Sequence, residues 1–231
     1  FPLPGSIFVH NRLTHSLEVS CVGRSLGDSI ASKLIAKHPE LASSHVSEIG
    51  AIVSAACLAH DLGNPPFGHS GEKAISTYFS EGKGMILQNQ LSSMEWDDLT
   101  HLEGHAHAFR LLTHQFRGRR KGGFVMTYST LASIVKYPFP SILAVKKPKF
   151  GFFTTEIEDY IKIAEELGIK RLSLEGEPIK YARHPLVFLV EAADDICYQM
   201  MDIEDAYKLK LLTPRETKEL YQLFLDEKKK E

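Results

Sequence analysis

The sequence predicts an all-α domain, and three observations carry the prediction. Apolar residues recur at spacings of three and four along most of the chain, helix-start and helix-stop signals flank those stretches, and convincing alternating strands are absent. The chain is 231 residues long and 43% hydrophobic, enough to bury roughly 70% of the surface its unfolded form would expose. One domain over residues 1–231 is expected, without internal repeats. It opens at Phe1-Pro2-Leu3-Pro4 and closes on the solvated run Lys228-Lys229-Lys230-Glu231, so it reads as a fragment of a longer protein with further helical parts beyond 231.

The elements follow in order. From His15 to about Lys37, the residues Val19, Val22, Leu26, Ile30 and Leu34 form one stripe on a first helix. Val46, Ile49, Val53, Ala56 and Cys57 repeat the pattern in a second, which ends at His60-Asp61-Leu62-Gly63 because Pro65-Pro66 forbids continuation. A third runs from Ser70-Gly71 to about Phe79, and a fourth from about Leu99 to Phe116. The basic, glycine-punctuated stretch from Arg117 to Gly123 reads as a loop. Thr127 to Lys136 is helical again, and a proline-rich connection spans Pro138 to Pro148. Further helices fit Thr154–Leu167, Pro185 to about Leu209, and Pro214–Asp226, the last capped by Thr213. Phe150 to Thr154 is the one candidate for a short strand.

Charge excludes some classes of function. The 27 Lys+Arg against 29 Asp+Glu leave a formal charge of −2, which implies neither a strongly basic nucleic-acid binder nor an acidic disordered chain. Cys21, Cys57 and Cys197 are far apart in apolar helical stretches and read as buried reduced thiols, which points to the cytoplasm. The longest uncharged apolar stretch, Ile49 to Ala59, falls short of the roughly 20 residues of a membrane span.

The chemistry concentrates in His60-Asp61-Leu62-Gly63-Asn64-Pro65-Pro66-Phe67-Gly68-His69-Ser70-Gly71-Glu72. Adjacent His and Asp at a helix end can reach one point where the backbone turns, and they form half of a plausible metal site. His15 near the start of the first helix and Asp194-Asp195 on an otherwise apolar helix supply candidates for the rest. Burying those aspartates unpartnered would cost several kcal/mol per ion, and a divalent cation is the natural partner. One residue along a helix turns a side chain by about 100°, so only one of the pair points at the site. His69 and Glu72, three apart at a helix entry, share a face on which a carboxylate can fix the tautomer of an imidazole and raise its basicity.

In these contexts the order H…HD…D resembles the HD-domain phosphohydrolase superfamily. More narrowly, R-L-T-H-S-L-E-V, H-D-L-G-N-P-P-F-G-H-S-G-E and E-A-A-D-D-I-C-Y resemble the deoxyguanosinetriphosphate triphosphohydrolase family, over Phe1 to about Tyr207. The resemblance implies an HD-domain helical fold with a metal site between helices. It implies His15, His60, Asp61 and Asp194 as ligands of one divalent ion, a set suited to Mn²⁺ or Mg²⁺ and also to Fe, Co, Ni or Zn, with His69 and Glu72 as catalytic dyad. Arg12, Lys136, Tyr137 and Lys149 stand where the family meets the triphosphate, Tyr198 where it packs on the deoxyribose, and Asp202 where it accepts the 3′-hydroxyl. His105 departs from the family, standing where a neutral amide is usual. His101, His105 and His107 offer material for a second metal, though the mononuclear reading is favoured.

The activity so implied is metal-dependent hydrolysis of a deoxynucleoside triphosphate, dGTP first, to deoxynucleoside and inorganic triphosphate in a cytoplasmic enzyme. Other expected partners are further copies of the chain, up to a hexamer, and single-stranded DNA as an effector on the Arg117–Lys121 loop. Two alternatives differ in product. One is another HD phosphohydrolase, acting on deoxynucleoside monophosphates or cyclic dinucleotides. The other is a non-catalytic nucleotide or DNA-binding regulator on the same fold.

Overall fold

Asn11 starts the first helix earlier than the apolar stripe alone suggests. Its side chain accepts from the amides of Leu13 and Thr14 while the Thr14 hydroxyl accepts from the Asn11 amide, a reciprocal cap at the head of α1 (Arg12–Lys37). The computed structural model describes residues 10–118, 122–144 and 149–226. Over these it is helical: α1 is followed by α2 (Ile49–Ala59), α3 (His69–Ser80), α4 (Ser93–Thr100), α5 (Gly104–Thr113), α6 (Tyr128–Ile134), α7 (Ile157–Glu166), α8 (Val187–Lys208) and α9 (Pro214–Asp226). Short 3₁₀ turns join several of them.

The antiparallel crossing of α1 and α2 sets the position of everything later. A methyl on Gly27 would meet the Cα of Gly50 at 2.6 Å, so the two backbones approach as only glycines allow. From that contact His15 lies 12 residues back along α1 and His60 lies 10 residues forward along α2, about 18 and 15 Å at 1.5 Å per residue. The two rings therefore arrive level, with centroids 5.6 Å apart. Helix α8 packs on both, burying Val190, Ala193 and Cys197 in the core that holds Val19, Val53 and Cys57.

On the far side the core is aromatic. Phe152 stacks on Tyr160 at 4.6 Å, and Phe109 meets both rings at 5.9–6.4 Å. Fully burying each such ring contributes about 1.5–3 kcal/mol. The stretch from Phe150 to Thr154 lies here, but it forms no strand. It makes one isolated bridge, Phe152 with Pro140, buries Phe150, Phe152 and Phe153, and passes into a 3₁₀ turn at Thr154.

Two expectations need correction. The stretch taken as one helix from Leu99 to Phe116 is two: α4, capped by the Ser92/Glu95 pair, ends at Thr100, and α5 restarts at Gly104 under a cap from the buried Glu103 side chain. Cys57 and Cys197 are buried, but Cys21, on α1, is exposed. Part of the basic loop, residues 119–121, and residues 145–148 of the proline-rich connection lie outside the described residues.

Candidate metal centre

Asp194 is where α8 meets the α1/α2 pair. Its Oδ1 lies 3.0 Å from His15 Nε2 and 3.5 Å from His60 Nε2, while Asp195 is exposed on the cleft beside them and makes neither contact. Asp61 brings its own Oδ1 to 3.5 Å from His60 Nε2 and is steadied by Asn64 Nδ2 at 2.6 Å. One donor atom from each of His15, His60 and Asp194 falls within 4.8 Å of the others, a spacing that suits ligands of one ion.

The electrostatics favour a cation there. The His60 Nδ1–H donates to the Cys57 carbonyl at 2.6 Å, which turns Nε2, as a lone pair, toward the carboxylates. That Nε2 is buried without a hydrogen-bond partner, an arrangement that costs about 1–3 kcal/mol unless something positive meets it. Burial disfavours a charged His60, yet the carboxylates of Asp194 and Asp61 raise its pKa. Burial also opposes ionisation of Asp194, but His15 and His60 hold its carboxyl far below the usual carboxylate range. Two imidazole nitrogens beside two carboxylates are a donor set that a divalent ion takes.

The loop after His60-Asp61 is locked to α5. A methyl on Gly63 would run into the backbone of Gly104, His107 and Ala108, and the His107 Nδ1–H donates to the Gly63 carbonyl at 2.9 Å. Arg12 adds a second clamp, donating to the carbonyls of Asn64 at 2.6 Å and Pro65 at 3.1 Å. Phe67 and Gly68, with φ of 68° and 53°, then turn the chain into α3 and put His69 at its first position, exposed.

Around His69 stand two buried carboxylates, Glu72 and Glu103. Glu72 is buried and its Oε1 accepts the Gly104 amide at 2.8 Å, tying α3 to the head of α5. The neighbour of the His69 ring is Lys149, whose Nζ lies 3.5 Å from Nε2 and 2.8 Å from Glu103 Oε1. His105 Nδ1 lies 2.9 Å from the same Glu103 oxygen.

An HD-domain family description matches residues 12–195. This chain belongs to the HD-domain family. Among its relatives, a deoxyguanosinetriphosphate triphosphohydrolase-like protein of Pseudomonas aeruginosa is 45% identical over 227 residues, 95% of this chain and 49% of the relative. A protein of the same description from Synechocystis is 41% identical over 90% of this chain and 49% of its own length. A deoxyguanosinetriphosphate triphosphohydrolase of Yersinia enterocolitica is 35% identical over 89% and 45%. The chain thus stands with the dGTPase-like HD proteins and spans about half the length of these curated relatives.

Within this HD domain the remaining sequence-derived residues fall in three places. His105 and Lys136 line a small cleft together with His60, Asp194 and Asp195. Lys136 pairs there with Glu191 at 2.5 Å, Glu191 also takes Arg183 at 3.1 Å, and both cations lie within 6 Å of the Tyr137 ring. Tyr198 and Asp202 follow Asp194 along α8, both exposed. His101 stands apart, bonded back to the Asp97 carbonyl. Sequence reasoning did not single out Glu103, Glu191 or Arg183. Glu103 had a readable signal, a carboxylate one residue ahead of an apolar-striped helix, whereas the other two gain meaning only through partners distant in sequence.

Proposed function

We infer that this HD domain carries out metal-dependent hydrolysis of a deoxynucleoside triphosphate, dGTP first among candidates, releasing the deoxynucleoside and intact inorganic triphosphate. The observation that carries the reading is the convergence of His15, His60 and Asp194 on a buried imidazole lone pair without a partner. The relatives' names supply the substrate class. His15, His60, Asp61 and Asp194 would hold one divalent ion, Mn²⁺ or Mg²⁺ before Fe, Co, Ni or Zn. Such an ion, when bound, supplies Lewis-acid polarisation of a phosphate oxygen and acidifies a water.

The protein's own groups do the rest. His69, exposed at the head of α3, donates a proton to the departing 5′-oxygen. Glu72, three residues on and anchored by the Gly104 amide, orients the His69 ring as its partner in the dyad. Lys149, held by Glu103, and Lys136, exchanging Glu191 for phosphate oxygens, meet the triphosphate, with Tyr137 beside Lys136 and Arg12 as a further cation for it. His105 contributes a ring nitrogen to the cleft where the family resemblance implies an amide. Tyr198 and Asp202 lie along α8 for the sugar, a ring against the deoxyribose and a carboxylate for the 3′-hydroxyl. Assembly of several copies, a DNA effector on the basic loop and a cytoplasmic location complete the reading. Among the described residues no helix is long and apolar enough to cross a membrane.

The test is His69→Ala in the full-length protein. Metal content by elemental analysis stays at the wild-type level while triphosphate release collapses. Loss of the metal together with the activity would remove His69 from the proton-transfer role.

A further inference from the structure

Glu103 is fully buried, and its two oxygens do different things. Oε2 accepts the amides of His105 at 2.8 Å and Ala106 at 3.2 Å, which completes the cap of α5. A cap needs no more than this, and a short Ser, Thr, Asp or Asn provides it at most helix heads. Oε1 is left for the Lys149 ammonium at 2.8 Å and the His105 ring at 2.9 Å. Because a carboxylate only accepts, His105 must carry its proton on Nδ1, and its other nitrogen is free to face the cleft it shares with His60 and Asp194. Lys149, on a separate segment, is thereby kept 3.5 Å from His69. Burial by itself would push Glu103 up, yet the hydrogen bonds and charges of His105 and Lys149 hold it below the usual carboxylate range, so it stays anionic.

We propose that Glu103 is a positioning residue for phosphate binding and cleavage: its Oε1 fixes the Lys149 ammonium beside His69 and sets the orientation of His105. This rests on the triphosphohydrolase reading for its turnover arm, but not for its binding arm. The division of labour between the two oxygens supplies a selective variant. Glu103→Gln keeps one carbonyl oxygen for the α5 amides and puts an NH₂ group, which cannot accept from an ammonium, on the other side.

The experiment compares wild type, Glu103→Gln, Lys149→Met and the double variant of the full-length protein. Turnover of dGTP is measured alongside the affinity for inorganic tripolyphosphate by calorimetry and thermal unfolding. Glu103→Gln lowers kcat/KM by about 10- to 100-fold, the range that misplacing a group by about 1 Å commands. In the Lys149→Met background the same change costs no more than about 2- to 3-fold, because residues acting through one another are non-additive. The sign of the tripolyphosphate result is decisive. On charge alone, deleting an anion next to a phosphate-binding lysine tightens binding, whereas loss of positioning weakens it.

Weaker tripolyphosphate binding with non-additive turnover supports the proposal. Unchanged or tighter binding, or an equal loss in both backgrounds, overturns it in favour of a plain helix cap. If wild type turns over no deoxynucleoside triphosphate, the activity reading falls and the tripolyphosphate arm still decides this one. Should Glu103→Gln fail to fold, Lys149→Met with its cap intact reads the same contact, and wild-type turnover and affinity in that variant overturn the proposal.

Discussion

Asp194→Asn is the change that bears most directly on the metal centre, because one oxygen of Asp194 faces both His15 and His60. Ligand binding to the folded state stabilises by RT ln(1 + [L]/Kd), so Mn²⁺ at a hundred times its Kd adds about 2.7 kcal/mol. For a domain of this size about 2–4 °C of Tm accompanies each kcal/mol, which gives a rise of roughly 5–11 °C in the wild type. Asparagine keeps the shape but loses the charge. Changes around a metal centre that spare its ligands already cost about 10–100-fold in affinity, so loss of a ligand charge costs at least about 100-fold. At the same Mn²⁺ concentration the variant then gains only about 0.4 kcal/mol, under about 2 °C. The assay is calorimetric unfolding of chelator-treated protein with and without Mn²⁺. Asp195→Asn, one residue along on the same cleft but out of reach of both histidines, retains most of the rise. A rise undiminished in Asp194→Asn, or lost in Asp195→Asn, would refute the ligand assignment.

Three further outcomes follow from the same geometry. Gly63→Ala drives a methyl into the backbone of three residues of α5, where no rotamer change helps, so it lowers stability by about 3 kcal/mol or more in urea unfolding. Cys57 and Cys197 are buried with thiols pushed up to about 12 and about 11, so a thiol reagent modifies Cys21 alone in the folded protein and all three after denaturation, read by absorbance or intact mass. Glu103 is held below the usual carboxylate range, so its stabilisation is full above its unfolded value near 4.3 and is lost as pH falls through the lower folded value. Glu103→Gln is therefore less stable than wild type by about 1–3 kcal/mol at pH 7, a gap that closes on acidification in urea titrations.

The parts of this protein that were readable in sequence are those governed by local rules. The α1 stripe, the stop at Pro65-Pro66 and the Thr213 cap of α9 all depend on neighbours within a few residues, and the helices stand where those signals put them. The choice of Asp194 over Asp195 was narrowed by helix rotation but not made by it; the packing of α8 on α1 brings the first to His15 and leaves the second exposed on the cleft. The break at His101–Glu103 was missed because apolar periodicity runs through it, while the deciding interaction is a buried side chain folding back on the next helix. Glu72 shows the same limit. Its spacing from His69 suggested a dyad, but nothing local announced that the buried amide of Gly104, 32 residues on, would donate to its Oε1. Exposure of Cys21 likewise depends on which face of α1 the other helices leave uncovered.

The most direct test of the central claim is the identity of the product. Full-length protein is incubated with Mn²⁺ and each of the four deoxynucleoside triphosphates, beside an Asp61→Ala control, and the products are resolved by ion-exchange chromatography. Inorganic triphosphate with an equimolar deoxynucleoside, absent from the control and most abundant with dGTP, is the result this account predicts. Orthophosphate or pyrophosphate in its place, or no product from any of the four, would contradict it.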